Sequence, residues 1–131
     1  VKRNFFTFQL KEIIMPVKKF SDVEATEIKA GKDTTIQVLI SPEEAPNFAM
    51  RRIIMQPGGS MPMHTNTVEH EQLVLGGRAR VGLGDEIYEV EKNDVLFIPA
   101  GLQHFYETVG DEPFEFLCSV PNTPDKVEIV E

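Results

Sequence analysis

Turn-forming residues recur every eight to twelve positions along most of the chain, and nothing else constrains its fold as tightly. Gly31-Lys32-Asp33, Pro57-Gly58-Gly59, Gly76-Gly77, Gly84-Asp85, Lys92-Asn93-Asp94, Pro99-Ala100-Gly101, Gly110-Asp111 and Pro121-Asn122 divide it into short runs rich in Val, Ile, Phe and Thr. Such spacing leaves room for strands and almost none for helices, and it predicts an all-β, antiparallel sandwich or barrel.

The runs themselves alternate as half-buried strands do. Phe114, Phe116, Cys118 and Val120 share one face, with Glu115 and Ser119 on the other. Ile36, Val38 and Ile40 are expected to share a face in the same way around Gln37. Ile87-Tyr88-Glu89-Val90 and Val95-Leu96-Phe97-Ile98 flank a turn and read as a hairpin. Only S-P-E-E-A-P at 41–46 offers helix chemistry, with Ser41 as N-cap and Pro42 at the first position. Pro46 limits it to about one turn. Near the N-terminus Phe6, Phe8 and Leu10 alternate with Thr7, Gln9 and Lys11, which predicts a strand with one apolar face. That arm, residues 1–14, either adds to the same sheet or crosses to a second subunit, so a homodimer is expected.

Length and charge set the outer bounds. The 131 residues suffice for one domain with a core of its own, spanning 1–131. A net charge of -8 argues against nucleic acid or an anionic membrane surface as partner, since both require a basic footprint. Lys2 and Arg3 begin like a secretory leader, but Thr7, Gln9, Lys11 and Glu12 interrupt the apolar run that a leader needs. No window reaches the apolar length of a membrane span. Cys118 is the only cysteine, so an internal disulfide is ruled out and a cytoplasmic location is expected.

The three histidines are His64, His70 and His104. Imidazole nitrogens bound to one zinc or iron ion lie about 2.0–2.1 Å from it, hence within roughly 4 Å of each other. His64 and His70, placed on one strand at roughly 3.3 Å per residue, would stand about 20 Å apart. On a helix of about 3.6 residues per turn they would face different ways. To meet, they need a chain reversal, and T-N-T-V-E between them suits a strand end and loop. His104 follows the Pro99-Ala100-Gly101 turn and opens a strand that includes Phe105, Tyr106 and Thr108. Taken singly, each histidine is more often a surface or core residue than a ligand. All three nonetheless fall beside turns at strand ends.

The stretches around them resemble a known family. G-S-M-P-M-H-T-N-T-V-E-H-E-Q-L-V-L-G-G is similar to the first cupin motif, and N-D-V-L-F-I-P-A-G-L-Q-H-F-Y-E-T to the second. With P-N-F-A-M-R before and F-L-C-S-V-P after, the resemblance covers residues 46–121. It implies a single-domain cupin, a jelly-roll-like double-stranded β-helix barrel. It also implies a metal site: His64 matches the first histidine of the motif's H-x-H, and His104 the histidine of the second motif. Asn66 stands in place of the second histidine, and His70 occupies the usual glutamate position, as in small cupins that use four histidines. Glu71 and Glu69 are the alternative registers. An inward His70 sends both glutamates outward, and we favour that phase.

The expected ligand set is therefore His64, His70 and His104; Asn66 either ligates weakly through its neutral amide oxygen or holds a water that ligates, or else it only satisfies a loop backbone and the metal keeps three ligands. Manganese(II) and iron(II) are the leading metals, with nickel(II) and zinc(II) as alternatives, since imidazole suits all of them. Without a carboxylate ligand the ion's charge stays uncompensated, which favours an anionic small-molecule substrate. Arg51 or Arg52 would orient its anionic group; Arg52 is carried forward as the candidate. Tyr106 is the candidate polar catalytic contact. Thr108 shares its strand phase, while Phe97, Pro99, Met50, Phe116 and Cys118 are expected along the wall or floor. The expected activity is that of a metal-dependent oxidoreductase or oxygenase. A non-catalytic binding or sensing module and a metal-assisted isomerase are the alternatives, because a fold alone does not imply chemistry.

Overall fold

The computed structural model describes residues 16–131. The N-terminal strand expected at residues 6–10, and with it the arm at 1–14, lies outside the described residues. Ten strands make up the fold: β1 (Ala25–Glu27), β2 (Lys32–Ile40), β3 (Phe48–Asn66), β4 (His70–Gly76), β5 (Arg78–Leu83), β6 (Glu86–Glu91), β7 (Val95–Ile98), β8 (His104–Val109), β9 (Phe114–Pro121) and β10 (Val127–Ile129). Every pairing is antiparallel. The strands follow the order β6-β5-β8-β3-β9-β4-β7, with β2 and β10 also on β3 and β1 on β2. The sheet curls on itself into a jelly roll, as the turn spacing predicts. Among the described residues no helix is long and apolar enough to cross a membrane.

The curl originates in β3, which is 19 residues long. Its first part, Phe48 to Met55, pairs with β2 and β9, while Ser60 to Asn66 pairs with β8 and β10. Pro57-Gly58-Gly59, expected as a turn between strands, falls inside this one strand. Gly58 has φ +80°, and a side chain on Gly59 would meet the carbonyls of Gln56 and Lys32 and the side chain of Met55. The two glycines let a continuous strand change neighbours.

Two local expectations are corrected. Ile87–Val90 and Val95–Ile98 do not pair as a hairpin, because β6 pairs with β5 and β7 with β4. The turn between them is drawn onto β4: Val74 donates its N–H to the Asp94 carbonyl and accepts from the Asn93 N–H. Asn93, at φ +77°, supplies the change of direction. On β2, Gln37 is buried rather than exposed, since its Nε2 donates to the carbonyls of Phe20 and Val23. A register shift between Val38 and Ile40 then breaks the alternation. Ile40 lines an outer groove with Met50 instead of following Ile36 inward. The 41–46 segment forms one hydrogen-bonded turn, in which Glu44 Oε2 accepts the Ser41 N–H and Ser41 Oγ accepts the Glu44 N–H.

Phe114, Phe116, Cys118 and Val120 are all buried. They pack with Ile53, Met55, Val74, Val81, Ile98 and Tyr106 inside the curl. Tyr106 stacks on Phe116 at 5.2 Å between ring centroids, and Phe116 meets Phe114 at 5.3 Å.

Candidate metal centre

His64 lies opposite His104 where β3 pairs with β8, and their ring centroids are 4.1 Å apart. His70 opens β4 after the 67–69 bend, opposite Ile98, with its ring centroid 6.0 Å from that of His104. Relative exposures of 5%, 5% and 1% for His64, His70 and His104 put all three rings out of bulk water. Nδ1 of His64 is 2.7 Å from the Pro62 carbonyl, and Nδ1 of His104 is 2.9 Å from the Leu102 carbonyl. A carbonyl can only accept, so both Nδ1 atoms carry the proton and leave the lone pair on Nε2. Nε2 of His70 and of His104 is buried without a partner among the described residues. Burial, reinforced by the Arg51 guanidinium, lowers the pKa of His70 to about 3. Burial likewise lowers His104 to about 4, outweighing the Leu102 carbonyl. Both are therefore neutral donors near neutral pH.

Asn66 shares the face of His64 and is buried. Its Nδ2 donates to Asp125 Oδ2 at 2.9 Å, and Asp125 also takes the Thr67 N–H at 3.0 Å. A carboxylate oxygen accepts, so the amide orientation is fixed and Oδ1 points the other way, buried and unpartnered. Glu69 and Glu71 are exposed, and the hydrogen bond between them raises the pKa of Glu71.

Buried lone pairs without donors are the chemistry a transition metal satisfies. With metal–nitrogen distances near 2.1 Å, rings that share an ion have centroids roughly 4–6 Å apart, so the observed separations fit. The ligand set is not closed as it stands. Among the described residues no group of three or more His, Cys, Asp or Glu is arranged as around a metal ion. The rings would have to turn onto a common point to hold one.

They border a cavity of about 350 Å³ whose polar lining is Arg51, Gln72, Tyr106 and Cys118 and whose apolar lining includes Ile28, Ile36, Ile53, Met61 and Phe116. Tyr106, Phe116 and Cys118 thus lie where the sequence places them. Tyr106 exchanges hydrogen bonds with Gln72, Oη accepting from Nε2 at 2.8 Å and lying 3.1 Å from Oε1. Burial pushes the phenol well above its usual pKa.

Five other candidates lie elsewhere. Arg52 is on the outer face, where it bonds Gln37 and Glu115 and covers the Phe20 ring at 4.1 Å. Arg51 enters the cavity in its place. Met50, one residue before, shares the outer face with Arg52. Phe97 is 57% exposed, because the pairing of His70 with Ile98 turns Leu96 and Ile98 inward. Pro99, beyond it, is exposed as well. Thr108 has the phase of His104, but its hydroxyl donates to the Met55 carbonyl at 3.3 Å, away from the cavity lining. Gln72 and Asp125 were missed. Gln72 was within reach, two residues beyond an inward His70 on the same strand. No local signal marked Asp125.

A family model for the cupin domain matches residues 51–120. The chain belongs to the Cupin_2 family. Mannose-1-phosphate guanylyltransferase of Escherichia coli is 36% identical to this cupin over 76 residues, which are 56% of this chain and 16% of that one. The xanthan biosynthesis protein XanB of Xanthomonas campestris is 28% identical over 116 residues, 83% of this chain and 23% of that one. The cupin spans less than a quarter of the length of these curated relatives. Among solved structures, the polyketide cyclase RemF from Streptomyces resistomycificus superposes with a TM-score of 0.80 at 30% identity. That match covers 90% of this cupin and 88% of RemF. A cupin-2 domain from Rhodospirillum rubrum, 24% identical with a TM-score of 0.77 over 90% of this chain and 82% of its own, shares the fold.

Proposed function

We propose that this cupin binds one divalent transition metal through His64, His70 and His104 and acts as a metal-dependent oxygenase on a small organic substrate in the cavity. The observation that carries this reading is the pair of buried, unpartnered Nε2 atoms, on His70 and His104, next to His64, whose Nδ1 proton is likewise committed to a carbonyl. Asn66 offers its free Oδ1 as a weak ligand or as the anchor for a water. Iron(II) and manganese(II) lead on the resemblance to four-histidine cupins, and nickel(II) and zinc(II) are alternatives because imidazole suits them as well. A bound ion with open positions would supply Lewis-acid and redox chemistry to substrate and dioxygen. The chain's own contribution is to exclude water with apolar walls, to position the substrate and to hold a protonated Tyr106 hydroxyl on Gln72 as a polar contact.

Metal content of protein purified without chelating resin tests the ligand set. Near-stoichiometric metal in the wild type and its loss in His104→Ala are expected; full retention in the variant would overturn the assignment. Metal-dependent dioxygen uptake tests the reaction class. A second, non-redox reading draws support from the likeness to RemF, a polyketide cyclase, at 30% identity over most of both chains. Turnover of a small substrate with no dioxygen consumed would favour it. A ligand that binds without turnover would make this cupin a sensing module.

A further inference from the structure

We infer that the cavity selects a small organic carboxylate, with its anionic group on Arg51 and its apolar body against Ile36, Ile53, Met61 and Phe116. The inference rests on reading this cavity as the substrate site, though not on the metal. Arg51 occupies an inward position of β3, between the buried Ala49 and Ile53, where the strand pattern calls for an apolar side chain. Arg51 is half-buried, and a guanidinium partly drawn out of water against apolar walls carries a cost that an anion offsets.

None does so here. The ion pairs among the described residues are Lys18–Glu44, Arg52–Glu115, Arg78–Glu89, Arg80–Glu107 and Lys126–Glu128. Among the described residues Arg51 donates one bond, from Nη2 to Cys118 Sγ at 3.2 Å, and its Nε is buried with no partner. A thiol sulfur is a weak acceptor. Its neighbour Arg52 shows what a compensated arginine looks like on this fold, with an amide, a carboxylate and a ring as partners. Cys118 Sγ also receives Gln72 Nε2 at 3.6 Å, and Gln72 reaches Tyr106, so three donor-bearing side chains run side by side along one wall. Planar, forked donors of this kind match a carboxylate. The overall charge of -8 opposes entry of an anion, which makes a local cation the natural source of affinity.

The test uses the full chain freed of metal by a chelator, titrated calorimetrically with benzoate and with its neutral isostere benzamide. We expect benzoate to bind at least tenfold more tightly than benzamide. Arg51→Gln should lose the preference, and Arg51→Lys, which keeps the charge, should retain part of it. Equal binding of the two probes, an undiminished preference in Arg51→Gln, or benzoate binding only after metal is restored would each overturn the inference. Should Arg51→Gln fail to fold, the wild-type comparison and Arg51→Lys still decide. Because the comparison of benzoate with benzamide is made without metal, a negative result is distinct from failure of the metal assignment.

Discussion

Arg51 and Arg52 are adjacent in sequence and opposite in circumstance. One strand step separates a guanidinium in an apolar cavity from one wrapped in polar partners on the outer wall. The sequence offers two identical side chains and no cue to phase unless the following Ile53 and Met55 are first assigned to the core. The histidines were easier to read, because two motifs and their turns fix them independently. Their burial has a titration consequence. The pKa values of His70 and His104 fall to about 3 and about 4 in the folded chain, below the ordinary 6.5 of an unfolded histidine. The unfolded state therefore binds more protons below pH 6.5, and stability declines as the pH falls from there toward 4. Urea midpoints of chelator-treated protein at pH 7.5 and 5.5 should reveal a loss of roughly 1–3 kcal/mol, and a smaller one in His104→Ala. Asn66 makes a separate prediction. A histidine there could give its Nδ1 proton to Asp125 and present Nε2 inward, so Asn66→His should tighten metal binding roughly ten- to hundredfold in chelator competition.

At the scale of elements, alternation pointed to β2, β6, β7 and β9 and placed the faces of β9 without error. It failed where a run carries no polar residue, as in Val95-Leu96-Phe97-Ile98, whose inward pair is set by register with β4. It also failed for connectivity, since a turn does not reveal whether the strands beside it pair or part. The glycine that closes the first motif shows the opposite case, a residue type dictated by its neighbours. Gly77, at φ +72°, follows β4 where a side chain would overlap the Pro113 carbonyl and the Phe114 backbone at the start of β9. Backbone atoms cannot rotate aside. Gly77→Ala should cost about 2–4 kcal/mol from combined strain and overpacking, read as a lowered denaturant midpoint with unchanged slope.

For the molecule as a whole, the all-β architecture was legible because turn spacing is a global property that no single residue can obscure. The sequence expectation of a homodimer rests on residues 1–14, and deleting them should halve the mass measured by light scattering; an unchanged mass would remove the arm from the interface. Continuity of β3 has a different consequence. One strand supplies hydrogen bonds to both halves of the barrel and ends at the histidines. Fraying of either half pulls on the strand that the other is built on. An ion gripped at the far end of that shared strand would act as a clasp on the fold, and its loss would loosen walls that never touch it.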